Sequence, residues 1–336
     1  MGLAERLSTR ILVCLVAWAA WAGARAVAEP LRVAAVQVCV SPEVYYGEEA
    51  FAAKMGALMA RAMASRPDLV IFPEDVGTFL ILAGAPRSAR KARALRAALS
   101  AMSLGEWVGV GLRELFQGES MPEAVFHMRS SDVRRMYIGT FARLAARYRV
   151  YVVAGSCCLS AEKGRGTRNT AFVFGPEGTI LLKQDKVHLV ELEKKGGLDL
   201  TPGTVESLGV VKVKGEGIGV SVCYDTYFPE VTRALSAKGA TVLVDIKANP
   251  WPFGPKTEKE FKDAAWKCVQ EDTGIRFGVT SCLVGRLYDM VFEGRSAIVA
   301  DGLLTADGSG YVAQARTFDQ DEIVAAELGS NPVVRK

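Results

Sequence analysis

The chain has 336 residues, of which 50% are hydrophobic and 23% are charged, so it can form a large core and is not a disordered protein. Its net charge of +4 is too small to indicate nucleic-acid binding, and no basic stripe interleaved with aromatic residues is present. Only two histidines occur, His127 and His188, which argues against most metal sites, Ser–His–Asp triads and Cys–His pairs.

The N-terminal segment has the pattern of a secretory signal peptide. Two arginines precede an unbroken apolar run at 11–24, and Ala26 and Ala28 are the small residues expected before a cleavage site. As a helix this run would rise about 21 Å, which is shorter than the roughly 30 Å hydrocarbon core of a bilayer. We therefore predict a signal peptide at 1–28 and an exported protein, periplasmic or extracellular. The alternative is a membrane tether, if the segment is not cleaved.

The remainder, residues 29–336, alternates between strand and helix patterns with no linker, which predicts one α/β domain with two sheets covered by helices. Continuous β-branched runs predict buried strands, and apolar residues at helical spacing predict helices. Residues 79–130 are less regular and are predicted to be a helical insertion. In chain order, the other predicted elements are a strand at 31–39, a helix at 47–65, a strand at 68–72, a helix at 131–148, a strand at 150–156, hairpins at 169–184 and around 214–217, a helix at 228–238, a strand at 241–246, a helix at 257–272, a strand at 276–283, and three final strands with the sequences RSAIVA, GLLTA and EIVAAEL.

Three residues that follow predicted strands are candidates for chemistry. Glu74, Lys186 and Cys223 each follow a strand pattern, and strand ends are where reactive groups gather in α/β folds. A cysteine thiol needs a base, and with histidines scarce a carboxylate in a partly apolar site can serve. A nearby lysine can stabilise an oxyanion. All three residue types are also common in purely structural positions, so spacing alone leaves both interpretations open.

The segments around these residues resemble the nitrilase superfamily of carbon–nitrogen hydrolases. The matching segments are FPED around Glu74, LLKQDKVHL around Lys186 and GVSVCYDTYFPEV around Cys223, in the order of the family. Similar segments extend from Leu31 to about Leu328. The resemblance implies a four-layer αββα sandwich and a homodimer.

The resemblance also implies a role for each of these residues. Cys223 would be the nucleophile and Glu74 the general base, while Lys186 and the backbone N–H of Tyr224 would hold the oxyanion. No metal and no organic cofactor is implied.

Further site residues follow from the resemblance with alternatives left open. Many members have a second glutamate near the lysine, for which Glu193 is favoured and Glu191 is the alternative. A surface position beside two lysines would give Glu193 no role. Asn249 and Trp251 lie where this family builds pocket walls, and they would either contact substrate or pack the loop.

The sequence therefore predicts an exported hydrolase that cleaves a non-peptide amide of a small molecule through a thioester on Cys223. A nitrilase or an N-acyltransferase of the same superfamily is the alternative among enzymes. A non-catalytic binding protein that keeps the fold is the alternative outside them. The reactivity of Cys223 distinguishes the enzymes from the binding protein.

Overall fold

The computed structural model describes residues 29–86, 88, 91–99, 104–161, 165–271 and 274–329, so the predicted signal peptide at 1–28 lies outside the described residues. The strands are β1 (Leu31–Val40), β2 (Leu69–Ile71), β3 (Tyr151–Ser160), β4 (Thr167–Phe174), β5 (Ile180–Asp185), β6 (Val210–Val213), β7 (Glu216–Val222), β8 (Val242–Ala248), β9 (Phe277–Leu287), β10 (Met290–Phe292), β11 (Ala297–Ala300), β12 (Tyr311–Gln314) and β13 (Glu322–Leu328). The helices are α1 (Glu48–Ala62), α2 (Leu95–Leu99), α3 (Leu104–Gln117), α4 (Met121–Tyr148), α5 (Pro229–Ala237), α6 (Pro255–Phe261) and α7 (Lys267–Gln270).

Strand β1 joins the two halves of the sheet. Leu31–Gln37 pair antiparallel with β13, and Val33–Ala35 also pair in parallel with β2, whereas Val38–Val40 pair in parallel with β9. The strand order along the whole path is β5-β4-β3-β2-β1-β9-β8-β7-β6. Because β1 has neighbours on both edges and protein on both faces, its sequence is almost entirely apolar.

The two faces of β1 show the layered architecture. Val33 and Ala35 belong to the core between the two sheets, while Ala34 and Val36 face the core beneath α1 and α4. A third core lies under α5 and α7, on the outer face of the other sheet. These alternating faces give four layers, helix–sheet–sheet–helix, and the predicted αββα sandwich is confirmed.

The structure adds two strands that were not predicted, β10 and β12, and it differs from the predicted elements elsewhere. The segment GLLTA is not a strand, because the Asp301 side chain accepts a hydrogen bond from Leu303 N and stabilises a 3₁₀ turn at Gly302–Leu304. The helix predicted at 131–148 begins earlier, at Met121, where Ser120 Oγ caps Glu123 N. The helix predicted at 257–272 is divided by a π-helical turn between α6 and α7.

The predicted insertion at 79–130 contains α2, α3 and the first turns of α4. Within the described residues, no helix has both the length and the apolarity needed to cross a membrane. Glu74 follows β2, Lys186 follows β5, and Cys223 follows β7. The carboxyl ends of the strands therefore carry the three residues that the sequence singled out.

Candidate active site

Glu74 is a buried carboxylate with three hydrogen-bond donors. It is only 2% exposed. It follows β2, from which buried Phe72 and Pro73 separate it. Glu74 Oε1 accepts hydrogen bonds from Lys186 Nζ at 2.8 Å and from Asn169 Nδ2 at 3.1 Å. Its other oxygen, Oε2, accepts one from the backbone N–H of Ala248 at 2.9 Å. These contacts hold the carboxylate in one orientation and supply the polar partners that a buried charge requires.

Lys186 lies between two buried carboxylates. Its Nζ is 2.8 Å from Glu74 Oε1 and 2.8 Å from Glu193 Oε2, and the three side chains are almost fully buried. Glu193 ends a 3₁₀ turn, and its Oε2 also accepts the N–H of Val190. Glu191 instead points to the surface, where it pairs with Lys194. The structure thus brings Glu193, and not Glu191, to the lysine.

Asn169 connects the two carboxylates and is a residue that the sequence reasoning missed. It is buried on β4, and its Nδ2 donates to Glu74 Oε1 at 3.1 Å and to Glu193 Oε1 at 3.2 Å. Its Oδ1 is buried without a hydrogen-bond partner among the described residues. An amide at the start of the segment NTAFVF, whose last four residues are apolar, was the available signal, since a buried polar side chain needs a partner.

Cys223 occupies a strained position at the end of β7. Its φ of 52° lies in the left-handed region, and the chain then enters a 3₁₀ turn at Cys223–Tyr227. Such strain in a residue other than glycine is concentrated at functional sites. Asp225, in the same turn, accepts hydrogen bonds from the backbone N–H groups of Val187 and His188. The turn that carries Cys223 is therefore tied to the residues directly after Lys186.

Cys223, Glu74 and Lys186 also influence one another's pKa through their charges. Desolvation and the charge of Glu74 raise the pKa of Cys223, while the charge of Lys186 lowers it. Desolvation would lower the pKa of Lys186, but the charges of Glu74, Cys223 and Glu193 raise it well above its ordinary value. Near neutral pH the site therefore holds a thiol and an ammonium, so attack by Cys223 requires a base that takes its proton.

The remaining predicted site residues are Tyr224, Asn249 and Trp251, for which the structure shows no hydrogen bond to this cluster among the described residues. Tyr224 directly follows Cys223, and its ring is 39% exposed and lies edge-on to Phe228. Asn249 Nδ2 donates to the carbonyl oxygens of Trp251 and Glu293, so this side chain holds its own loop. The Trp251 side chain is 68% exposed. Substrate contact by Asn249 and Trp251 stays a prediction, as does the use of the Tyr224 N–H.

No cluster of three or more histidine, cysteine, aspartate or glutamate side chains in the described ranges is arranged to hold a metal ion. That the reaction uses no cofactor stays a prediction. What the geometry offers is a partly exposed thiol beside a buried carboxylate and a buried ammonium, which is the equipment for acyl transfer through a cysteine.

Comparisons with known proteins agree with this arrangement. The family model of the carbon–nitrogen hydrolases matches residues 32–309. The chain therefore belongs to the carbon–nitrogen hydrolase family of the nitrilase superfamily, and the resemblance inferred from the three motifs is confirmed.

Curated relatives match over a shorter part of the chain. Omega-amidase NIT2 of Xenopus tropicalis is 33% identical over 135 residues, which are 38% of this chain and 45% of that protein. A nitrilase of Pyrococcus abyssi is 35% identical over 139 residues, or 38% of this chain and 48% of that protein. The matched segments thus span about half the length of these relatives.

Solved structures match over nearly the whole fold. An amidase from a Nesterenkonia species superimposes with a TM-score of 0.59 at 18% identity, covering 90% of this chain and 92% of the amidase. At this identity the likeness concerns the fold alone. It agrees with the four-layer architecture described above.

Proposed function

We propose that this protein is an amidase that hydrolyses a non-peptide amide of a small molecule through a thioester on Cys223. The observation that carries the proposal is the buried cluster of Glu74, Lys186 and Glu193 beside the strained cysteine. A binding protein that merely kept the fold would have no need for two buried carboxylates around one lysine, since burying such charges is costly. Relatives that carry the name omega-amidase add support for an amide substrate.

The proposed reaction begins with proton transfer from the thiol to Glu74. Cys223 Sγ then bonds to the amide carbon, and the carbonyl oxygen becomes an oxyanion that Lys186 and the N–H of Tyr224 stabilise. The C–N bond breaks as Glu74 returns the proton to the leaving nitrogen, which departs as an amine or ammonia and leaves a thioester. Water then gives its proton to Glu74 and attacks the thioester, which releases the acid and restores the thiol.

Support for a nucleophilic cysteine comes from a solved structure of the same fold. A solved structure of the Nesterenkonia amidase carries the acetamide moiety of fluoroacetamide covalently added at its active-site cysteine. In this chain, Glu193 and Asn169 would keep Lys186 and Glu74 in place during both half-reactions, since each contacts one or both of them.

The experiment that tests the proposal measures turnover of a panel of simple amides and traps the intermediate on Cys223. We expect Cys223→Ala to lower turnover by more than about a thousandfold, and Glu74→Gln to lower it by more than about a hundredfold. Mass spectrometry of the quenched reaction should find the acyl group on the peptide that contains Cys223.

Cys39→Ala is the matched control, because Cys39 is also partly exposed and lies outside the cluster. Its turnover should equal that of the parent protein. Full turnover by Cys223→Ala would overturn the nucleophile assignment. Acylation of Cys223 that is released only to an added amine would replace hydrolysis with acyl transfer.

A further inference from the structure

A second buried lysine, Lys247, lies on the strand next to Cys223. Strands β7 and β8 run in parallel with Val222 opposite Ile246, so the next residues of the two segments are Cys223 and Lys247. The Lys247 side chain is 3% exposed, and its Nζ is 3.2 Å from Oδ2 of Asp245, which is completely buried. Because residues two apart in a strand share a face, Asp245 and Lys247 form their ion pair along β8.

The turn that carries Cys223 encloses this lysine. The Nζ of Lys247 lies 4.7 Å from the centre of the Tyr227 ring, and Tyr227 is the last residue of that turn. The ring of Phe261, at the end of α6, lies 5.3 Å away on another side. Aromatic faces attract cations, and more strongly when water is excluded. The ammonium therefore has a fixed place.

Asp245 also holds the turn that begins at Cys223, through a hydrogen bond to Thr226. Its Oδ1 accepts a hydrogen bond from Thr226 Oγ1 at 2.9 Å, and Thr226 Oγ1 is 2.6 Å from Ser221 Oγ. One carboxylate thus holds both the lysine and the backbone turn that begins at Cys223. Asp245 and its partners therefore set where the Lys247 ammonium lies relative to the Cys223 sulfur.

The Asp245–Lys247 pair affects the charge that can form on the sulfur of Cys223. In the proposed reaction Glu74 takes the thiol proton, so the negative charge moves from that carboxylate, which contacts Lys186, to the sulfur. Glu193 stays paired with Lys186, so a further positive charge near the sulfur favours this transfer. The charge of Lys247 lowers the pKa of Cys223, as that of Lys186 does, while Asp245 raises it. Desolvation would lower the pKa of Lys247, but the charges of Asp245, Tyr227 and Cys223 raise it, so the lysine stays protonated.

We propose that Lys247 is a positioning residue for the reaction, whose ammonium, held by Asp245 and two aromatic rings, stabilises the negative charge that forms on the sulfur of Cys223. This inference rests on the proposed function, in which Cys223 gives its proton to Glu74. Lys247 forms no bond to the substrate and keeps its proton throughout. It acts through the cysteine, by making the thiolate less costly at the moment of attack.

The test is the rate at which iodoacetamide alkylates Cys223 across pH, which requires no substrate. Lys247→Met keeps an apolar stem against the rings but removes the charge, so labelling at a fixed pH should slow by about tenfold, as expected for loss of an opposite charge worth about one pKa unit. Asp245→Asn keeps an acceptor for Thr226 but leaves Lys247 uncompensated, so labelling should become faster. Lys247→Arg should restore most of the parent rate.

The decisive result is slower alkylation in Lys247→Met and faster alkylation in Asp245→Asn, because damage to the fold would change both rates in the same direction. Lys259→Met is the control: it removes a positive charge from α6 at an exposed position, and labelling should not change. Equal rates for the parent, Lys247→Met and Asp245→Asn, or shifts of the same sign, would overturn the role. If Lys247→Met does not fold, Asp245→Asn decides by itself, since an unchanged or slower rate contradicts the proposal. Failure of the amide panel would overturn the proposed hydrolysis without affecting this readout.

Discussion

Asp75, next to Glu74, is a third acidic residue in this region. Its φ of 57° is left-handed, and its Oδ1 accepts a hydrogen bond from Thr78 Oγ1 at 2.7 Å. Desolvation and the charges of Glu74 and Glu193 raise the pKa of Asp75 to about 7. Near neutral pH this carboxyl therefore holds its proton part of the time.

The raised pKa of Asp75 predicts a specific pH dependence of stability. In the unfolded chain Asp75 loses its proton near the ordinary value of 3.8, whereas in the folded protein it keeps the proton up to about pH 7. Its contribution to stability is therefore fully present below about pH 4 and is lost as the pH rises to about 7. Asparagine tolerates the left-handed backbone and keeps the Thr78 bond, but it cannot ionise.

We accordingly expect Asp75→Asn to be more stable than the parent protein at pH 8, by more than about 1 kcal/mol in the free energy of unfolding. The advantage should shrink steadily toward pH 4. Urea unfolding of both proteins at several pH values measures it. A difference between the two proteins that stays constant from pH 4 to pH 8 would contradict the assigned titration.

At the level of single elements, an irregularity in β3 shapes the segment that carries Glu74. The pairing of β3 with β4 shifts between Val153 and Ser156, and Gly155 within this shift has a φ of 72°. A Cβ on Gly155 would lie 1.9 Å from the carbonyl oxygen of Pro73. Ser156 then accepts hydrogen bonds from the N–H groups of Asp75 and Gly77. The bulge thus lets β3 approach the Pro73–Glu74 backbone closely.

Gly155→Ala should therefore displace Pro73 and lower both the thermal stability and the rate of Cys223 alkylation. Gly215→Ala is the matched control, because Gly215 also has a positive φ, of 87°, but a Cβ added there would have no atom within 4 Å. The control should lose only about 1–2 kcal/mol, the cost of a left-handed residue with a Cβ, and should keep the parent alkylation rate. Equal effects of the two substitutions would show that the close approach to Pro73 is unimportant.

At the scale of the whole molecule, the last strand completes the sheet. β13 begins at Glu322, beyond residue 309 where the match to the family model ends, and pairs with β1 over seven residues. Gln37 on β1 is completely buried, and its Nε2 donates to the carbonyls of Thr317 and Gln320. Without this segment the central strand would present an unpaired edge.

A chain that ends at Asp319 should therefore lose its cooperative thermal transition and bind a hydrophobic dye. Val324→Ala retains the backbone pairing while removing buried methyl groups, so it should stay folded and lose about 1–3 kcal/mol. Circular dichroism would follow the thermal transition, and dye fluorescence would follow dye binding, for the truncated chain and for Val324→Ala. A truncated chain that melts cooperatively at the parent temperature would contradict an integral role for β13.

Export through residues 1–28, the homodimer, the absence of a cofactor and the extent of the insertion at 79–130 stay predictions at this scale. The first three concern a cleavage, a partner and a ligand, none of which belongs to the described residues.

Consecutive residues were enough to predict the buried strands, because apolar runs are local patterns. The resemblance of three local motifs to the nitrilase superfamily implied the four-layer fold and the roles of Glu74, Lys186 and Cys223. Asn169, Lys247 and the choice of Glu193 over Glu191 depended on the tertiary structure. The segment GLLTA, predicted as a strand, contains instead a 3₁₀ turn that is capped by Asp301. Periodicity tells which residues of a strand are buried, but which strand lies beside it, and in which register, is set by contacts between distant segments.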